Sequence, residues 1–244
     1  MKKIICLLLF LLPFLLFAQQ DSAKRFGLTL SVNTVGQSLY QNQTGVGLGE
    51  LPVGEVDDKS YSLGITANYL VPNSDFGMRI KISTTPRNIT NPEGTSTFTT
   101  SDFSFLPGFY YQYKKRKIET YAGIDLEYIH HDIAKYYSVG SLSYADTSFD
   151  YTIQTIKTFP SGNSYGIGGF MGFNFYPTSL ISIGFEISSA FLFNKYGDSV
   201  SQKQTYLHGN LSQLSPPDNF TVLSKYSSFQ FDQVKASFNV SFWF

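Results

Sequence analysis

Charge is scarce in this chain: 15% of its 244 residues are Asp, Glu, Lys or Arg, where about 25% is usual. Aromatic residues reach 17% and hydrophobic ones 42%, so the chain can bury enough surface to fold, and intrinsic disorder is excluded. Neither sign of charge dominates: the formal balance is +0, which gives no field for attracting nucleic acid. Proline numbers 10 and cysteine 1, which removes collagen-like and disulfide-stapled classes. No apolar stripe at the helical spacing of 3.6 residues appears after residue 20, so a helical bundle is excluded as well.

The one long hydrophobic run is Ile4 to Phe17. It is shorter than the ~20 residues of a spanning helix. Lys2 and Lys3 precede it, and Ala18 stands before Gln19, Gln20 and Asp21. The pattern predicts a cleaved signal peptide over 1–18 and a mature domain over 19–244. Cys6 would leave with that peptide, which removes thiol catalysis, disulfides and zinc–thiolate sites together. Eighteen basic residues less Lys2 and Lys3 leave 16 against 18 acidic ones.

The mature chain has a period of two. Apolar and polar residues alternate over 26–33, 61–69, 76–83, 103–113, 118–128, 165–175, 181–188 and 234–244. Such alternation marks strands with two unlike faces. Their lengths sit near the ~9–11 residues with which a tilted strand crosses a bilayer, above the ~5–6 of a mean soluble strand. Short and long connections alternate without exception. The short ones are 71–75, 114–117 and 176–179, all composed of turn-forming residues; every other gap is about 18 residues or longer, the asymmetry of a membrane barrel with short turns at one end and long loops at the other.

A soluble ligand-binding barrel alternates too, with its apolar face inward. Three features favour the membrane arrangement. Arg79, Lys81, Glu119, Asp125, Glu127, Glu186 and Lys235 all fall on the polar face, the face that would then point into the barrel. Tyr69, Tyr111, Tyr113, Tyr128, Tyr165 and Trp243 lie toward segment ends, where interfacial girdles form. The last segment alternates through Phe238, Val240, Phe242 and Phe244. The chain is therefore expected to be all-β, a membrane-spanning antiparallel up-and-down β-barrel. It would have eight strands (alternatively ten), short periplasmic turns and long extracellular loops.

The segment from Val234 to Phe244 resembles the C-terminal signal read by the barrel-assembly machinery of Gram-negative bacteria. A strand of this kind can add to a sheet edge through its main chain while alternate side chains fill pockets. With the signal peptide and the eight strands, the mature chain resembles the broad outer-membrane β-barrel family, PorT-like small barrels included. The resemblance implies a bacterial outer-membrane location, contact with outer-membrane lipid, and transient engagement of the assembly machinery through Phe238, Val240, Phe242 and Phe244. It carries no subfamily motif that assigns an activity, a cofactor or a surface ligand.

Eight strands enclose a lumen that side chains can fill. The seven inward charges then read as a salt-bridged plug, with Glu186 and Lys235 on neighbouring strands as the expected adjacent pair. The sharper alternative is a narrow pore along the same groups. A lipid-modifying enzyme would need a His–Ser–acid arrangement. The histidines are His130, His131 and His208. No serine stands two residues after any of them, and neighbours on a strand point opposite ways, so His130 and His131 cannot share a face. His208, in Leu207-His208-Gly209-Asn210, reads as a solvated loop residue. The expectation is a non-enzymatic barrel, without cofactor or metal, acting structurally or through its long loops. Residues 136–159 are expected to form a hairpin about Ala145-Asp146-Thr147, above the membrane or as two further spanning strands. The stretch 211–223, with Pro216-Pro217, is expected to be irregular.

Overall fold

The computed structural model describes residues 26–34, 61–90, 96–143, 150–197, 199–208, 219–223, 226–232 and 234–244. The expected signal peptide and its boundary lie outside these residues, as do Ala145-Asp146-Thr147 and Pro216-Pro217. The described chain is all strand and turn: β1 (Phe26–Thr34), β2 (Tyr61–Leu70), β3 (Phe76–Thr90), β4 (Ser96–Lys115), β5 (Ile118–His131), β6 (Ala134–Ser143), β7 (Asp150–Phe159), β8 (Gly162–Phe175), β9 (Ile181–Tyr196), β10 (Ser199–His208), β11 (Phe220–Leu223), β12 (Tyr226–Phe231) and β13 (Lys235–Trp243).

Eight of these close a ring in the order β1-β2-β3-β4-β5-β8-β9-β13, every pair antiparallel. The ring is sealed where β13 returns to β1, with Gly27 opposite Trp243 through to Asn33 opposite Ser237. Closure leaves no sheet edge within the ring, as lipid requires of any spanning sheet. Residues of one parity face out. Leu30, Leu63, Ile80, Phe109, Ile124, Ile167, Met171 and Phe238 are all exposed. They form a lipid-facing band because apolar residues recur at alternate positions along the ring strands. Residues of the other parity fill the lumen, so this is a membrane-spanning eight-stranded barrel.

The short turns follow from their composition. Asn73 takes a left-handed φ of 55°, which asparagine tolerates well. Arg116, at the tip between β4 and β5, takes φ 57°, which suits it less. Pro107 removes a donor in mid-strand without displacing the register. Phe105 pairs with Tyr128 and Gly108 with Asp125, and the ladder to β5 is interrupted between them. No bulge is needed.

The hairpin of β6 and β7 is present, with Ala134 opposite Phe159 and Ser143 opposite Asp150. It is not part of the ring, because β5 pairs directly with β8 from Ile118↔Phe175 to His131↔Gly162. β4 outruns β5, and its outer residues Ser96 to Thr99 exchange β5 for β6. From there the sheet continues through β7, β10 and β11. β12 pairs with the outer half of β9. These five strands make a β-crown at the long-connection end. Two expectations are corrected here. Phe220–Leu223 is a strand, not irregular chain. His208 belongs to β10 and pairs with Thr152, because β7 offers a polar edge that the sequence of either strand alone does not announce.

Candidate functional site

The lumen is layered. At the short-turn end the side chain of Glu119 is fixed by Asn174 Nδ2 at 2.9 Å and by the Tyr176 hydroxyl at 2.7 Å. Burial, reinforced by Glu119, pushes the Tyr176 phenol above its ordinary range, so it remains a donor. Lys114 lies 3.6 Å from the centre of the Tyr176 ring. Trp243 points inward and donates to Ser182 Oγ at 3.2 Å. The expected place for Trp243 in an outer girdle is therefore corrected: its parity on β13 is that of Asn239 and Ser241, both buried. Tyr111, Tyr113 and Tyr165 are exposed on the outside.

The middle layer is a charge network. Arg79 donates from Nε to Asp125 Oδ1 at 2.9 Å and from Nη2 to Asp125 Oδ2, a two-pronged contact. Its Nη1 reaches Glu186 Oε2 at 2.6 Å. Lys81 Nζ donates to Glu186 Oε1 at 3.4 Å and to Asn33 Oδ1 at 3.2 Å. The guanidinium carbon of Arg79 also lies 3.0 Å from the centre of the Phe170 ring. Arg79 and Glu186 come from β3 and β9, which are not hydrogen-bonded to each other, so the contact crosses the lumen. Beside it a cavity of ≈ 30 Å³, lined by Asn68, Tyr110, Glu119 and Asn239 among others, has room for about two waters.

The expected pair Glu186–Lys235 is not formed. Glu186 stands opposite Ser237, and its carboxylate is taken by Arg79 and Lys81. Lys235, one layer further out and only partly buried, pairs with Asp232 instead. Glu127 lies in the same outer layer, 8% exposed, where the charges of Lys235 and Asp232 act on it.

Above the charges comes an apolar floor of Ile129, Ala190 and Leu192, the last fully buried. On it stands a second polar node. His131 Nδ1 is 2.8 Å from Asp102 Oδ1, and His131 Nε2 is 2.7 Å from Ser164 Oγ. Ser164 Oγ lies in turn 2.5 Å from Asn194 Oδ1. His131 is 1% exposed, Ser164 0% and Asn194 2%. The node is roofed by Ala134 and Tyr196, with Phe98 and Phe159 packed against them.

His130 points to the other face. Its Nδ1 is 2.9 Å from Asn163 Oδ1 and its Nε2 is 3.5 Å from Asp132. Among the described residues no three His, Cys, Asp or Glu side chains converge as metal ligands.

Asp102, His131, Ser164 and Asn194 come from four successive ring strands. No spacing within the sequence displays such a set, since Ser164 follows His131 across the whole β6–β7 hairpin. A signal existed nonetheless. Asp102 and Ser164 continue the inward parity of their segments by a single step beyond the points where apolar alternation fades.

No family model matches the chain, and no curated protein matches it by sequence. Solved structures similar to it include neisserial surface protein A, at 13% identity and TM-score 0.40 over 90% of this chain and 97% of that one. A major outer membrane protein from Thermus thermophilus is 12% identical with TM-score 0.46, over 91% of this chain and 100% of that one. Ail, the attachment invasion locus protein of Yersinia pestis, is 10% identical with TM-score 0.39, over 90% and 96% respectively.

Proposed function

We propose that the chain is a sealed barrel of a Gram-negative outer membrane whose working surface is the crown outside the bilayer, not a conduit through it. The observation that carries this reading is the lock across the lumen. Arg79 on β3 bridges Asp125 on β5 and Glu186 on β9, and the cavity beside them measures ≈ 30 Å³. Separating those charges to open a path would leave buried ions unpaired, at a cost of several kcal/mol each. The outward apolar face supports contact with outer-membrane lipid. Phe238, Phe242 and Phe244, all exposed on that face, with Val240 half-buried between them, support engagement of the barrel-assembly machinery by the last strand. The crown strands β6, β7, β10, β11 and β12 supply the structural or surface-interaction role, toward a ligand whose chemistry the crown does not specify.

Reconstitution into planar bilayers tests the proposal. The expected result is no steady single-channel current. Steady currents that change in Arg79→Gln or Glu127→Gln would replace it with the narrow-pore reading, since those groups would line the path.

A further inference from the structure

We propose that Asp102, His131, Ser164 and Asn194 form a nucleophilic acyl-transfer site at the outer end of the lumen, taking a carboxylic ester with an apolar acyl chain. This goes beyond the sealed-barrel reading and replaces the expectation of a protein without enzymatic activity. The two fail separately, because the node and the cross-lumen lock of Arg79, Lys81, Asp125 and Glu186 share no side chain.

The order of groups is that of an acid, a histidine and a serine in line. Asp102 accepts from His131 Nδ1–H at 2.8 Å, which fixes the ring and leaves the Nε2 lone pair toward Ser164 Oγ at 2.7 Å. Satisfying a buried serine takes one amide, and Asn194 already supplies that. A histidine and an acid in line behind it are more than the hydroxyl needs for a partner, an arrangement that fits activation of the hydroxyl. As it stands Ser164 Oγ–H is directed at Asn194 Oδ1. A half-turn of the Asn194 amide, which trades its Nδ2 contacts to Ser228 Oγ and Gln230 Oε1 at 3.4 Å each, exchanges its oxygen for its nitrogen within the same shape and turns that proton toward His131 Nε2. The amide then presents Nδ2–H to an oxygen developing charge beside Ser164.

The chemistry balances. Ser164 Oγ bonds to the ester carbonyl carbon while its proton passes to His131 Nε2. The carbonyl electron pair moves onto an oxyanion held by Asn194. On collapse the ester C–O bond breaks, and the alcohol oxygen leaves with the proton from Nε2. Water then adds to the acyl-serine, giving its proton to Nε2; the carboxylic acid departs and Ser164 recovers its hydrogen.

The surroundings select the substrate class. The side chains packed around the node include Ile129, Leu192, Ala134, Phe98 and Phe159, apolar surroundings that would suit a hydrocarbon chain once the cover opens. On the outside of the barrel, Phe103 and Tyr165, each next to a member of the node in sequence, mark the outer margin of the lipid-facing band. Tyr196 is the cover. Its ring centre is 5.4 Å from that of His131, and it occupies the place where a Cβ on Gly162 would stand. Removing that ring opens the node from the crown side.

The test uses the full-length barrel in detergent micelles with a fluorophosphonate probe, mapped by mass spectrometry, and retained folding checked by heat-dependent gel migration. Ser164 of the wild type is expected to be modified, and Ser164→Ala to remain unmodified there. His131→Ala and Asp102→Asn are expected to react at least about 100-fold more slowly while still folded. Tyr196→Ala is expected to react faster than the wild type. Turnover of p-nitrophenyl octanoate, compared with fatty-acid release from phospholipid vesicles, separates a free ester from a membrane lipid as the source. If neither wild type nor Tyr196→Ala is modified at Ser164 while both are folded, the proposal is overturned. An undiminished labelling rate in folded His131→Ala would overturn it equally.

Discussion

The two polar nodes of the lumen use similar residue types in opposite ways. In the middle layer three of the four ions have more than one partner residue, and Asp125 is gripped twice by Arg79. Arg79 holds two carboxylates and lies against Phe170, while Glu186 accepts from both Arg79 and Lys81. Such a mesh has no single proton or side chain that can move without stranding another charge. The outer node is strung in order instead, and beyond Asn194 it continues to Ser228 Oγ and Gln230 Oε1 at 3.4 Å each. Asp102 meets His131, His131 meets Ser164, and Ser164 meets Asn194. A line can pass a proton along itself and return it. What separates a lock from a relay here is connectivity, not the amount of charge buried.

That contrast is broken most severely at its best-connected atom. Arg79→Gln leaves Asp125 and Glu186 facing one another with Lys81 as the remaining cation nearby. The expected loss is about 3–5 kcal/mol, the scale for removing one partner from a buried ionic set. Denaturant unfolding in detergent should register it as a lower midpoint. Leu192→Ala comes next. It removes the fully buried centre of the floor between the nodes at a cost of about 3 kcal/mol. It also lets the mesh and the line communicate: the two variants together should depart from additivity, whereas Arg79→Gln with Asp102→Asn on an intact floor should not.

Most of the ring was legible in the sequence because one physical constraint writes it. A strand between lipid and a polar lumen must alternate, and all eight alternating segments became ring strands. The choice of eight over ten was legible for the same reason: Tyr137, Val139, Ser141 and Ser143 are too polar a row for a convincing lipid face, and their strand lies in the crown. The crown's pairings were not legible. β7 meets β10 across some forty residues of chain, and neither strand has a face that lipid must select. Within the lumen the identity of the inward charges followed from parity, while their partners did not. Parity says which way Glu186 points; it does not say that Arg79 from β3 reaches it across the bore before Lys235 can. Parity turned Asp102 and Ser164 inward as well, but it could not assemble the outer node, to which four strands each contribute one residue.

Asp102→Asn sharpens the comparison with a smaller effect. Asparagine keeps an oxygen for His131 Nδ1–H but loses the charge, and Asp102 is already 14% exposed. The expected destabilisation is about 1 kcal/mol, that of one weakened hydrogen bond. A line should therefore tolerate in stability what it does not tolerate in reactivity, whereas the mesh loses stability at once.

The smallest expected effect lies outside both nodes and serves as their reference. Arg116 holds a left-handed backbone at the β4–β5 tip, a conformation that costs a residue with a Cβ about 1–2 kcal/mol. Glycine takes it without that penalty but gives the unfolded chain more freedom. Arg116→Gly should thus raise stability by somewhat less than about 1 kcal/mol, read as a higher unfolding midpoint with the slope unchanged. Because the tip touches neither node, the same gain should reappear when Arg116→Gly is added to Arg79→Gln and to Asp102→Asn. A gain that vanished in the Arg79→Gln background alone would mean that breaking the mesh loosens the barrel as far as its short turns, and that the lock holds the ring as well as the bore.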